Sequence, residues 1–132
     1  MGRGTIRLRT YQIGSPRKRS DGLRVGTVRF LPRGVRKHDY ARLDYFDVCL
    51  PSVAPSQELI RWLKSADLTD KRWAQFLKRY EHEMTTTNSR QTIQLLAEIA
   101  KRTPISIGCY CADESRCHRS TLRKLIDRAA TG

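Results

Sequence analysis

The sequence predicts an α/β fold, a mostly parallel sheet flanked by helices within one domain spanning residues 1–132. Three observations carry this reading. Short apolar segments with a period of two stand near both ends of the chain, in residues 5–30 and 105–111. Between them, apolar residues recur at helical spacing. The chain then closes on a strand, a loop and a helix, the unit from which parallel sheets are built. An α+β arrangement is the alternative, because the first two strands are joined by only about a dozen residues, near the lower limit for a parallel crossover.

Each element has its own signal. "TIRLRT" (5–10) alternates Ile6 and Leu8 with basic residues and reads as a short strand. "SPRKRSDG" (15–22) is a loop by composition. "LRVGTVRF" (23–30) reads as a second strand, ended by Pro32 and Gly34 in a basic turn, and "LDYFDVCL" (43–50) as a strand or irregular segment. In "PSQELIRWLKSA", Ser56 caps a helix with Leu59, Ile60 and Leu63 on one side. The next helix, capped by Thr69, carries Trp73, Phe76, Leu77, Tyr80 and Met84 in one apolar stripe. Ile93, Leu96, Ala97 and Ala100 repeat the pattern in residues 89–102, which Pro104 closes. "ISIGCYC" (105–111) is a buried strand, and "CHRSTLRKLIDRAA" a last helix with Leu122, Leu125 and Ile126 inward.

Charge narrows the choice of partners. The 132 residues hold 26 Lys and Arg against 13 Asp and Glu, a formal +13. A field of that sign attracts polyanions and phosphorylated ligands. Much of it sits early, at Arg3, Arg7, Arg9, Arg17, Lys18, Arg19 and Arg24, followed by Arg29, Arg33, Arg36 and Lys37. A solvated surface that keeps a small protein soluble explains such a run equally well. No apolar stretch approaches the ~20 residues of a membrane span, so no membrane partner is expected. The first residues lack the apolar region of a signal peptide. A cytoplasmic, reducing location is therefore expected, and the four cysteines read as thiols or metal ligands before disulfides.

Those cysteines concentrate in "CYCADESRCHRS" (109–120). In open α/β sheets, ligands bind outside the carboxyl ends of the strands, where loops run into helix N-termini. Alternation along the strand puts Cys109 and Cys111 on one face. Cys117 falls at or just before the first helical turn, where free N–H groups and the helix dipole favour an anion. Beside Arg116, Arg119 and His118, its thiol pKa should be lowered. Cys109 also fits a small core residue. Asp113 and Glu114 fit turn-capping roles, and His38 and His82 fit the surface.

A zinc site is the competing use of the same residues, since zinc accepts three cysteines and a histidine. Adjacent Cys117 and His118 are awkward joint ligands from one helical turn, so no metal or other cofactor is expected. A cysteine phosphatase loop is absent: it needs five residues between cysteine and arginine, and Cys111 and Arg116 are separated by four.

"LRVGTVRFLPRG", the A-P-S-x-E-L helix start, the W-x-x-F-x-x-R-Y helix and the C-H-R at the last helix together resemble the domain of unknown function family four-eight-eight, the YeaO-like proteins. The resemblance covers about residues 5–127. It implies a compact α/β domain and supplies no established activity. By position, Arg29, Pro32, Arg33 and Gly34 match its arginine turn, and Cys117, His118 and Arg119 its C-H-R. Val28 and Leu31 stand where many members carry an Asp and a Trp, so a role that needs that carboxylate is not carried over.

The expectation is then an anion-binding protein, enzyme or not, for a phosphate-bearing small molecule or nucleotide. Arg29, Arg33, Arg116 and Arg119 would hold the anion, with Cys117 as thiolate and His118 as acid–base partner. The alternatives are a nucleic-acid-binding module that uses the basic N-terminal region and a zinc-stabilised interaction domain.

Overall fold

The computed structural model describes residues 6–131; Arg3 and the first residue of the 5–10 segment lie outside them. Four strands, β1 (Leu8–Gln12), β2 (Leu23–Gly26), β3 (Val48–Cys49) and β4 (Ile105–Cys109), form one sheet in the order β1-β4-β2-β3. Every pairing is parallel. The α+β alternative therefore falls. The short link between β1 and β2 is no obstacle, because β4 lies between them and they never pair.

All four helices lie outside the sheet: α1 (Gln57–Lys64), α2 (Asp70–Glu83), α3 (Thr87–Arg102) and α4 (His118–Thr131). The first three fill the connection from β3 to β4, and α4 follows β4. Ser56 and Thr69 cap α1 and α2, accepting from the Leu59 and Arg72 amides. The expected stripes close the main core. Leu59, Phe76, Tyr80, Ile93, Leu96, Leu122 and Ile126 pack with Leu8, Val25, Ile105 and Ile107 from the strands.

Pleat alternation sends the other side chains of the strands to the opposite face. There Tyr11 lies beside Gly108, its register partner, and Arg24 stacks on the Tyr11 ring at 4.2 Å. The segment with Tyr40, Tyr45 and Phe46 covers this side: the Tyr11 hydroxyl donates to the Tyr45 carbonyl at 2.7 Å, and Phe46 sits over Gly26. Gly22 feeds β2 at φ 62°, and a Cβ there would fall 2.0 Å from the Pro104 carbonyl oxygen. Only glycine fits that turn.

Several boundaries differ from the sequence reading. The first strand lies later, at Leu8–Gln12, and the second stops at Gly26, so Phe30 and the arginine turn lie beyond the sheet. Residues 43–50 are irregular apart from two residues. The last strand ends at Cys109, and Cys111 belongs to the loop. Among the described residues, no helix is long and apolar enough to cross a membrane.

Candidate functional site

β2 and β4 are neighbours in register, with Gly26 opposite Gly108. Their carboxyl ends therefore deliver Thr27, Val28 and Arg29 beside Cys109, Tyr110 and Cys111. From Cys111 the chain makes a turn in which Asp113 accepts from the Ser115 amide at 3.0 Å. Cys117 follows with extended backbone, φ −138° and ψ 143°, and His118 opens α4. This change of backbone between two adjacent residues lets their side chains converge. Cys117 Sγ lies 3.9 Å from His118 Nδ1.

The sulfurs gather at the same point. Cys109 Sγ and Cys111 Sγ are 3.8 Å apart, and the ligating atoms of Cys109, Cys117 and His118 all lie within 4.8 Å of one another. Arg119, 4% exposed, fastens the group. Its Nη1 donates to the Cys111 carbonyl at 2.6 Å and lies 3.8 Å from Cys117 Sγ. His118 Nε2 is 2.7 Å from the Thr27 carbonyl oxygen. A carbonyl only accepts, so Nε2 carries the proton and Nδ1 presents its lone pair to Cys117. Tyr80 closes the far side, its ring edge-on to the imidazole at 5.3 Å, and its hydroxyl donates to Val53.

Electrostatics differ among these groups. Burial pushes the His118 pKa down to about 4, against the Thr27 hydrogen bond, so the imidazole is neutral at pH 7. The Cys109 thiol, which donates to Cys111, and the neighbouring Cys117 hold the Cys111 pKa well below the usual thiol range, with Arg119 adding a smaller pull. Cys117 moves the other way, raised by Cys109, Cys111 and burial. The helix-terminus argument puts the thiolate on Cys117. The structure buries Cys117 to 2% exposure and leaves Cys111 as the exposed thiol.

A cavity of about 240 Å³ opens against this cluster. Arg29, Lys64 and Arg116 supply its cations; Phe30, Trp73 and Phe76 supply much of its apolar wall. Arg29 reaches across to the carbonyls of Ala54 and Pro55, each at 3.2 Å. Arg116 is paired with Asp70, yet its Nη1 is buried without a partner among the described residues. The separate sequence pieces thus meet in one place: the arginine turn through Arg29, the A-P-S turn through Pro55, the aromatic helix through Trp73 and Phe76, and the C-H-R through Cys117 and His118.

Two expected anion ligands do not line the cavity. Arg33 is exposed and does not line the cavity; β2 ends at Gly26, and Arg33 stands in the turn beyond it. Arg119 is turned inward onto carbonyls and sulfur. The sequence reading missed Thr27, Lys64 and the cavity-lining role of Trp73. A Trp in an apolar stripe has the same period whether it fills a core or faces a cleft.

Among known proteins, residues 8–130 match the family DUF488-N3a, described as the active DUF488-N3 subclade. The chain is 31% identical to the uncharacterized protein YeaO of Escherichia coli K12 over 117 residues, 89% of this chain and 94% of that one. It is 28% identical to the uncharacterized protein Rv3073c of Mycobacterium tuberculosis H37Rv over 119 residues, 90% of each chain. No solved structure matches it. The pieces that converge on the cavity are thus embedded in a match that runs almost end to end, and the chain belongs to the DUF488 family, in its N3a branch.

Proposed function

We propose that the protein binds a phosphate-bearing small molecule or nucleotide in the cavity over the ends of β2 and β4, with the Cys111 thiol available for chemistry on it. One observation carries the reading: a single cleft combines Arg29, Lys64 and Arg116 with an aromatic wall and an exposed thiol. Guanidinium groups suit phosphate oxygens, and Arg116 holds an N–H without a partner among the described residues. Phe30 and Trp73 line the cleft and offer apolar surface to a hydrophobic or aromatic portion of the ligand. Pocket position agrees with the general rule for parallel sheets.

The nucleic-acid reading draws on the basic N-terminal run, and part of that run is already engaged. Arg24 is 1% exposed, and Arg17 is paired with Asp47 at 2.9 Å.

Thermal denaturation at physiological salt tests the proposal, with inorganic phosphate, nucleoside mono- and diphosphates and sugar phosphates as probes. A ligand at ~100 times its dissociation constant adds ~2.7 kcal/mol. At least one nucleotide or sugar phosphate should raise Tm, and Lys64→Ala with Arg116→Ala should abolish the rise while Lys18→Ala with Arg19→Ala leaves it. No rise with any probe, or a rise lost only in the second pair, would refute the cavity as the binding site.

A further inference from the structure

We infer that Cys109, Cys117 and His118 bind one divalent ion of the zinc class in the wall of the cavity, with Cys111, its sulfur 3.8 Å from that of Cys109 but outside this set of three, moving in as fourth donor. This rests on the sulfur and imidazole atoms and not on the cationic side of the cleft that would hold the ligand; the two readings meet at Cys111, whose thiol is free for chemistry only in the metal-free protein.

Geometry is the first support. Zinc holds sulfur at about 2.3 Å and imidazole nitrogen at about 2.0–2.1 Å, which at the tetrahedral angle sets sulfurs about 3.8 Å apart and sulfur and nitrogen about 3.6 Å apart. The observed separations are 3.8 Å for Cys109 and Cys111 and 3.9 Å for Cys117 and His118 Nδ1. The third set, Cys109 with Cys117 and His118, falls inside 4.8 Å. Adjacent cysteine and histidine counted against a metal in the sequence. That objection assumed both on one helical turn, whereas Cys117 is extended and only His118 is helical.

The surroundings are the second support. A metal-bound histidine usually gives its other N–H to a carbonyl, which fixes tautomer and ring plane. His118 does this through Thr27 at 2.7 Å, with Nδ1 left facing the sulfurs. Three thiolates and a neutral imidazole around a divalent ion carry a net single negative charge. The Arg119 guanidinium, 3.8 Å from Cys117 Sγ, supplies the opposite charge. A sulfur-rich donor set selects zinc-like ions over magnesium or calcium, which take oxygen ligands. Cys111, the exposed member, is the side from which an ion enters.

The test is titration of reduced, metal-free wild-type protein with Co(II) under anaerobic conditions. One equivalent should bind, giving the visible bands of a tetrahedral site and sulfur-to-metal charge transfer in the near ultraviolet, and zinc should displace it. His118→Asn should weaken binding by roughly tenfold or more, and Cys49→Ser, at a thiol on β3 outside the cluster, should leave the spectrum unchanged. Absence of the tetrahedral spectrum in wild type overturns the inference without any variant having to fold. So does a spectrum that survives at full strength in Cys117→Ser. Phosphate-probe stabilisation of the metal-free protein stands or falls separately, so the two readings fail distinguishably.

Discussion

Arg24 shows how far one residue departs from what its neighbours in sequence suggest. It sits in a basic run that reads as solvated surface, yet it is 1% exposed and donates to Asp21 and to the carbonyls of Ser15, Pro16 and Asp44. Its charge partner Asp21 stands three residues before it in "DGLRVG", but nothing local announces the burial, which also needs the carbonyls of Ser15, Pro16 and, twenty residues later, Asp44. Removing one partner of a buried ion pair strands the other charge and costs about 3–5 kcal/mol. Arg24→Met should therefore lower unfolding free energy by about that much in urea titrations, whereas Arg19→Met, at an exposed site, stays within about 0.5 kcal/mol. Burial of Asp21 opposes its ionisation, but the Lys18 amide and Arg24 outweigh it and hold its pKa below the ordinary aspartate value. A depressed folded-state pKa stabilises the fold above the unfolded value and loses that contribution as pH falls through the folded one. Stability should thus decline below about pH 4, near the ordinary aspartate pKa, and less steeply in Asp21→Asn, which starts lower.

The cysteines make the same point at the residue scale. Position at a helix N-terminus singles out Cys117 in the sequence, but accessibility depends on how the loop 109–117 folds over it. In chelator-treated protein, limited iodoacetamide labelling followed by mass spectrometry should modify Cys111 ahead of the buried Cys109 and Cys117. Labelling of Cys117 first would contradict the burial that the structure gives it.

Among the elements, those with local signals were legible and those with only tertiary support were not. Ser56 and Thr69 cap their helices as their side chains predict, because a cap is satisfied within three residues. β3 is two residues long and exists through its pairing with β2, so no periodicity marks it. β1 and β4 depend on a close approach that the sequence hides: a Cβ on Gly108 would lie 2.4 Å from the Tyr11 ring. Gly108→Ala should cost about 1–3 kcal/mol by overpacking, and the double variant Gly108→Ala, Tyr11→Leu should recover part of it. Equal or worse stability in the double variant would show that Tyr11 is not what the glycine accommodates.

At the scale of the molecule, the parallel α/β plan was legible because a strand–loop–helix closing a helical block has few other solutions. Strand order was not, and the site depended on it. Arg29 and Cys117 share a cavity only because β2 and β4 are adjacent. Lys64 joined them from α1 with no signal at all in its sequence. The +13 net charge will also give nucleic-acid binding at low salt whatever the function. That binding should fall steeply with added salt and show little preference among sequences, as counterion release requires. The most direct measurement is an amide NMR titration of the reduced, metal-free protein with a nucleoside monophosphate at physiological salt, beside inorganic phosphate. Shifts concentrated at residues 28–30, 62–64 and 109–119 are the result predicted for a ligand seated over β2 and β4. Shifts confined to residues 17–24, or none with either probe, would contradict it.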